Sequence, residues 1–434
     1  MAKFVKIFRE TMITGEDTRR RLLLCKPHMS GRELPFVEAA IAENWAVPMG
    51  PQVDEFEREL EEFLGTASRG QRVVALSAGT AAIHLALLAL GIGAGDEVLC
   101  QSMTFCASCN PVAYVGATPV FIDSEADTWN MDPALLEQAI EDRIARTGRK
   151  PRAIILVHLY GMPAKLREIL AIAEKYDIPV IEDAAEAFGA RYNGRPVGTF
   201  GDYGILSFNG NKMITTSGGG ALVVPDAEEK RRIMFYATQA REGYPYYQHE
   251  EIGYNYRLSN ISACIGLGQM TVLDEHLAHH RRVNEIYAEL LADVPGVTLH
   301  RNPSPEFDAN FWLSTVLLDP ELRVKGRDEA YAEPITGAVG GAAGVTRAAL
   351  DPHTDCEPSA DVEALRLALQ RENIESRPLW KPMHRQPVFS GAPAYVNGTS
   401  EGLFARGLCL PSGPDISRSD CLRVVQAIGA AIER

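Results

Sequence analysis

The run Phe208-Asn209-Gly210-Asn211-Lys212-Met213-Ile214-Thr215-Thr216 sets a single lysine between apolar neighbours. Before it, Tyr203 to Ser207 reads as an apolar strand; after it the chain leaves through Ser217-Gly218-Gly219-Gly220. Upstream, Asp183 ends a second apolar strand, Ile178-Pro179-Val180-Ile181-Glu182. Strands apolar along their whole length belong to parallel sheets covered by helices on both faces. The flanks Leu206, Phe208, Met213 and Ile214 are expected to desolvate the Lys212 amine, which suits a nucleophile.

Strand and helix patterns alternate around that run from about residue 31, the signature of an α/β sheet. The expected strands are 73–77, 97–100, 118–122, 153–158, 180–182, 203–207 and 221–224, with helices such as 81–90, 133–144 and 164–176 between them. The alternation ends near residue 225. A helix over about 274–292 then leads to strands near 298–300, 312–318 and 374–377 and helices near 360–372 and 417–432. The expected division is an N-terminal arm over 1–30, a large domain over 31–273 and a small C-terminal domain over 274–434. The Ala/Gly-rich stretch 334–350 reads as a flexible surface insertion.

A chain of 434 residues exceeds what one core usually supports. Its 46% hydrophobic and 23% charged residues are an ordinary globular composition. The formal net charge of -14 and a pI of about 5.3 argue against general binding to nucleic acid or to a membrane surface, since both need a basic face. An anionic small ligand needs only a few local basic residues. No apolar run approaches the roughly 20 residues of a membrane span, and the basic start is too interrupted for a secretory signal. Eight cysteines without a disulfide framework favour a reducing compartment, so the cytoplasm is the expected location.

A lysine and a carboxylate at the ends of parallel strands are what pyridoxal 5′-phosphate chemistry needs. The amine forms a Schiff base with the cofactor aldehyde, and the acid keeps the pyridine nitrogen protonated so that the ring accepts electrons. Asp183 is the expected ring-nitrogen partner, with Glu186 in reach of the ring hydroxyl or the substrate; a solvated acidic loop is the plainer reading of the same acids. Ser77-Ala78-Gly79-Thr80-Ala81-Ala82 turns a strand into a helix. Gly79, Thr80 and nearby amides there suit a phosphate at the positive end of the helix dipole, although an ordinary turn capped by Thr80 reads the same way. Phe105 can stack on a planar ring or sit in the core. Cys106-Ala107-Ser108-Cys109 lacks the second ligand pair of a zinc site and reads as two small buried residues on one helix, with a redox pair as the alternative. His276 and His280, four apart on a helix and without a carboxylate motif, read as part of a solvated face. No metal site is expected.

Further segments stand in order along the chain: Pro27-His28-Met29-Ser30-Gly31, Asn44-Trp45-Ala46-Val47-Pro48-Met49-Gly50-Pro51, Gly253-Tyr254-Asn255-Tyr256-Arg257 and Arg377-Pro378-Leu379-Trp380-Lys381-Pro382-Met383-His384. Together with Ser77–Thr80, Glu182–Glu186 and Ser207–Lys212, they make the chain resemble the sugar aminotransferases of the DegT/DnrJ/EryC1/StrS family from about Arg21 onward. The resemblance implies the aspartate-aminotransferase-like arrangement called PLP fold type I: a large, mostly parallel seven-stranded sheet domain plus a smaller α/β C-terminal domain. It implies Lys212 as Schiff-base lysine and proton shuttle, Asp183 as ring-nitrogen partner and Phe105 as the stacking residue. It implies Gly79, Thr80 and Ser207 at the phosphate, Glu186 and Asn209 also at the cofactor, and Asn255 as a phosphate ligand from the other subunit of a homodimer. Ser30, Trp380, Lys381, His384 and Arg385 are implied at the nucleotide-sugar surface.

Family members that dehydrate carry histidine at the lysine position, so Lys212 favours transamination, with glutamate as donor. The lysine segment looks most like members that aminate C4 of UDP-linked sugars such as UDP-4-keto-6-deoxy-N-acetylglucosamine, on the route to bacillosamine-type glycans; the GDP-perosamine synthase branch is close. Two departures stand out. Ser217-Gly218 replaces the Gly-Glu common before the last two glycines, and the 334–350 insertion has no counterpart. The rival from another class is a non-catalytic regulator that binds the cofactor or a sugar nucleotide, which Lys212 and Asp183 together disfavour.

Overall fold

The computed structural model describes residues 20–331 and 356–433. Residues 1–19 of the expected arm and the expected insertion at 334–350 lie outside the described residues. The seven strands expected from the apolar runs are all present: β1 (Arg72–Leu76), β2 (Glu97–Gln101), β3 (Thr118–Ile122), β4 (Ala153–Val157), β5 (Val180–Asp183), β6 (Tyr203–Ser207) and β7 (Gly220–Val224). Later in the chain come β8 (Val297–Leu299), β9 (Ser314–Leu318), β10 (Arg377–Pro378), β11 (Ala394–Tyr395) and β12 (Gly407–Leu410), while the short strands Arg191–Tyr192, Arg195–Pro196 and Phe307–Asp308 make a small sheet of their own.

The large sheet has eight strands rather than the expected seven, in the order β1-β7-β6-β5-β4-β2-β3-β11. The addition is β11, a two-residue strand that pairs in parallel with β3; two residues between turns carry no periodic signal. Only β7 runs against its neighbours, antiparallel to both β1 and β6. Strands β8, β9, β12 and β10 form a separate antiparallel sheet in that order.

Successive strand residues feed two cores, as the strand period of two requires. Val73, Ala75, Leu99, Val120, Ile154 and Leu156 pack on one face. Val74, Leu76, Val98, Phe121, Ile155 and Ile181 pack on the other. Each large apolar side chain so buried contributes about 1.5–3 kcal/mol. On the first face, helix Pro51–Leu64 presents Val53, Phe56, Leu60 and Leu64 at helical spacing. A third core joins the smaller sheet to helices Leu273–Leu291, Ala360–Arg371 and Arg418–Ala431. Residues 379–397 then return to the large sheet: Met383 and Phe389 enter its second core, and β11 extends its edge. That return carries Trp380, Lys381 and His384 back toward the large sheet.

The reading of His276 and His280 as a solvated face is corrected. Both are buried, with 5% and 0% exposure. Helix Leu273–Leu291 packs that side inward, where His276 Nδ1–H donates to the Met213 carbonyl at 3.2 Å and His280 Nδ1–H to the Phe311 carbonyl at 3.2 Å. Both imidazoles are held below their usual pKa by burial, His280 at about 3. Among the described residues, no helix is long and apolar enough to cross a membrane, and no three His, Cys, Asp or Glu side chains gather as metal ligands. All eight cysteines are free thiols.

Candidate active site

Strands β2, β4, β5 and β6 run parallel, and β1 shares their direction because β7 opposes both β1 and β6. Their carboxyl ends therefore open on one side, where α/β sheets bind ligands. From those five ends come the Ser77–Thr80 turn, Phe105, Tyr160, Asp183 with Glu186, and Ser207 with Lys212.

Helix Gly79–Ala89 starts directly after β1. Its N-cap, Ala78, has extended backbone and no side chain able to cap the first turn. The leading N–H groups are thus left for an external anion, favoured by the helix dipole. A Cβ on Gly79 would lie 3.5 Å from that of Ser207, so the turn and the end of β6 face each other closely. Thr80 is half-buried and Ser207 buried.

Asp183 ends β5 with 5% exposure. Its Oδ2 accepts from Ser108 Oγ at 2.6 Å and its Oδ1 from the Ala185 N–H at 3.1 Å. Ser108 is itself within 2.8 Å of Thr104 Oγ1. In the C-x-x-C segment, Cys109 is buried and Cys106 partly so; the intervening serine, which sequence reasoning passed over, is the one that reaches Asp183. Glu186 is buried as well, and its Oε2 accepts the Tyr160 N–H at 2.7 Å. Burial pushes its carboxyl above the usual range, against the Lys212 charge and the Tyr160 N–H, while Asp183 adds to the upward push.

Lys212 Nζ stands 3.9 Å from Glu186 Oε1, with its side chain 13% exposed. The ammonium also lies 4.1 Å from the centroid of the Trp312 ring, a cation–π contact. Trp312 Nε1–H donates to the Asn211 carbonyl at 2.6 Å, which braces the lysine turn, and the Lys212 N–H closes that turn on the Asn209 carbonyl at 2.9 Å. Asn209 itself is exposed. Trp312 was legible only as part of a strand.

Phe105 is 51% exposed, and its ring lies 5.5 Å from that of Trp380. Trp380 in turn stacks on Tyr160 at 6.0 Å and 20°, and its main-chain N–H donates to the Tyr160 hydroxyl at 2.8 Å. The Trp380 indole N–H is buried without a hydrogen-bond partner among the described residues. His384 Nδ1 lies 2.6 Å from Ser102 Oγ and its Nε2 3.1 Å from Glu401 Oε1, which ties this loop to the end of β2. Arg385 Nε is 3.9 Å from Glu401. Lys381 is half-buried in the same loop.

Two expected residues stand apart from this group. Ser30 donates to Glu33 at 2.8 Å and shares a cavity with His28 and His276; it meets the lysine segment only indirectly, where His276 holds Met213. Asn255 is exposed, and its side-chain amide has no hydrogen-bond partner among the described residues. Asp183, Glu186, Lys212, Phe105 and Trp380 do come together. A buried acid, an amine beside it, an uncapped helix start and an exposed aromatic face fit a planar, phosphorylated aldehyde with a basic ring nitrogen. Pyridoxal 5′-phosphate is that group.

The comparisons agree. The sequence matches the DegT/DnrJ/EryC1/StrS aminotransferase family over residues 27–336 and 349–429. A relative from Bacillus subtilis (strain 168), named as the pyridoxal phosphate-dependent aminotransferase EpsN, is 43% identical over 416 residues, covering 94% of this chain and 95% of its own. The GDP-perosamine synthase of Escherichia coli O157:H7 is 34% identical over 403 residues, covering 93% of this chain and 96% of its own. A crystal structure of a DegT/DnrJ/EryC1/StrS aminotransferase from Brucella abortus superposes with a TM-score of 0.77 at 29% identity, covering 92% of this chain and 95% of that one. With Lys212 and Asp183 at the carboxyl edge of a type I sheet, the chain belongs to the DegT/DnrJ/EryC1/StrS family and is a pyridoxal 5′-phosphate-dependent aminotransferase.

Proposed function

We propose that the protein transfers the amino group of glutamate to C4 of a nucleotide-linked 4-keto-6-deoxy sugar, with UDP-4-keto-6-deoxy-N-acetylglucosamine as the leading substrate. The observation that carries the reading is the Lys212–Glu186–Asp183 group at the strand ends, two buried acids with few hydrogen bonds beside a half-buried amine. The cofactor, when bound, supplies an electrophilic carbon and an electron sink. Lys212 binds it covalently and moves the proton at the reacting carbon; a positioned acid–base group gives about 10²- to 10⁴-fold in rate. Asp183 holds charge against the ring nitrogen, and Ser108 orients Asp183. Gly79, Thr80 and Ser207 hold the phosphate, with Asn209 at the edge of the lysine turn, and Phe105 covers the ring. Trp380, Lys381, His384 and Arg385 line the sugar-nucleotide side, and Ser30 joins them from the neighbouring cavity.

The active form proposed is a homodimer in which Asn255 completes the phosphate site of the other subunit. Its exposed, unpartnered amide supports this, as do the exposed apolar residues Ile41, Trp45, Val47 and Met49, more than a monomer ordinarily presents on one short segment. The proposed organisation keeps an arm over 1–30, a larger unit over 31–273 and a smaller unit over 274–434. Eight free thiols suit a reducing compartment, and the cytoplasm is the proposed location.

A GDP-linked substrate is the second reading, supported by the likeness to GDP-perosamine synthase. Both are tested by following the absorbance of the bound cofactor. Glutamate is expected to shift it, and a UDP-linked 4-keto-6-deoxy sugar to restore it, with a GDP-linked one at most weakly effective. Restoration by the GDP sugar alone selects the second reading. A spectrum that glutamate leaves unchanged overturns both readings as stated, since each takes glutamate as the donor.

A further inference from the structure

Tyr160 is an aromatic residue at the site to which the proposed function gives no part. It holds a left-handed backbone, φ 54° and ψ 17°, in the turn Leu159–Gly161 after β4. For a bulky residue that conformation costs about 1–2 kcal/mol, and such strain persists only where the surroundings over-determine it. Here they do. Asn130 Oδ1 accepts the Leu159 N–H at 2.9 Å, and Asn130 Nδ2–H donates to the Met162 carbonyl at 2.9 Å, so the turn is clamped on both sides. Tyr160 as a whole is 3% exposed.

While its hydroxyl also lies beside the Cys409 thiol, Tyr160 reaches from that fixed turn in two directions that bear on the site. Its main-chain N–H reaches Glu186 Oε2, and its hydroxyl accepts the Trp380 N–H. One contact is to the acid beside Lys212; the other is to the start of a loop 220 residues further along the chain. At its other end that loop is held through Ser102, which accepts the Met383 N–H on its carbonyl at 2.8 Å and meets His384 through its hydroxyl. Tyr160 thus ties down the end that carries the stacked indole.

We propose that Tyr160 is a positioning residue that sets the Trp380 loop in register with Glu186, so that the sugar-side wall and the lysine-side carboxylate keep one spacing. The inference rests on the reading of Glu186 and Trp380 as site residues. Through this tether the Trp380 ring stays against Phe105 and Tyr160, with its side chain close enough to Glu186 to favour the charged carboxylate.

Tyr160→Phe keeps the ring, the turn and the Glu186 contact and deletes only the hydroxyl. Two readouts decide the matter. Hydrogen exchange of the Trp380 amide, followed in the cofactor-loaded protein without substrate, is expected to speed up at least about fivefold, the size of one lost hydrogen bond. With the keto sugar, KM is expected to rise about three- to tenfold while kcat falls by less than KM rises. An unchanged Trp380 exchange rate overturns the inference, and so does a fall in kcat with KM unmoved. If the wild type aminates no nucleotide sugar, the proposed function fails, and the exchange measurement still decides the role of Tyr160.

Discussion

Glu182 and Asp183 are neighbours on β5, yet their side chains leave opposite faces of the strand and find different surroundings. Glu182 is fully buried and saturated. It accepts N–H groups from Gly198 at 2.9 Å, Gly201 at 2.5 Å and Phe200, and His158 Nε2–H at 3.0 Å. His158 Nδ1 accepts the Ala164 N–H at 3.1 Å, so the ring proton belongs on Nε2, facing Glu182. Asp183, almost as buried, has on its carboxylate only Ser108 and the Ala185 N–H among the described residues. Glu186 has the Tyr160 N–H and an ammonium at 3.9 Å. The acid whose hydrogen-bonding capacity is filled shapes the fold: it gathers the 198–201 turn that feeds β6. The acids with capacity left over can receive a ligand.

The largest effect expected from this contrast lies on the unfilled side. Lys212→Ala should lower the rate of amino transfer by about three orders of magnitude or more, because it removes the covalent attachment together with a proton mover. It should leave the cofactor-free protein folded, with a melting temperature close to that of the wild type. A variant that kept more than a tenth of wild-type turnover would move the chemistry elsewhere.

On the filled side the effect should fall on stability. Glu182→Ala leaves three N–H groups and the His158 Nε2–H without their shared acceptor, and each buried donor left unsatisfied costs about 1–3 kcal/mol. Asp183→Ala in the cofactor-free protein should cost far less, about 1 kcal/mol, because fewer partners lose an acceptor. Urea unfolding of the two variants side by side measures the difference. Equal losses would show that counting unfilled hydrogen bonds does not separate structural acids from site acids.

The sequence reading reached the site wherever a residue's neighbours in the chain carried the signal. Asp183, Ser207 and Lys212 follow apolar runs that can only be buried strands, and Gly79 opens a helix directly after one. Residues whose role depends on distant partners were invisible. Ser108 meets an acid 75 positions away, Trp312 braces a turn 101 positions away, and Tyr160 holds a loop 220 positions away. The left-handed backbone of Tyr160 has no composition cue. The eighth strand failed for lack of length. His276 and His280 failed because a helix face crowded with His and Arg looks solvated until the Met213 and Phe311 carbonyls are seen packed against it.

His280 sharpens the comparison by the smallest margin. It too is fully buried with capacity left over: Nδ1–H donates to Phe311, while Nε2 has no hydrogen-bond partner among the described residues. It sits on a helix under the Trp312 loop rather than at a strand end, so it is expected to affect stability and not chemistry. Burial holds its folded pKa near 3, against about 6.5 in an unfolded chain, and His276 and His279 beside it disfavour a further charge. Above pH about 6.5 the ring is neutral in both states and has no effect on the balance between them. As the pH falls below that, the unfolded chain takes up a proton that the folded one refuses, so stability declines toward pH 3. At pH 4.5 the loss from this one group is about 3 kcal/mol, two pH units below the unfolded value at 1.36 kcal/mol each. His280→Gln keeps a donor for Phe311 and cannot titrate, so urea unfolding at pH 7 and pH 4.5 should show a smaller acid loss for the variant by about that amount. Identical losses would mean that His280 takes up its proton in the folded protein, and that burial with an unfilled nitrogen is not enough to hold a group neutral in this fold.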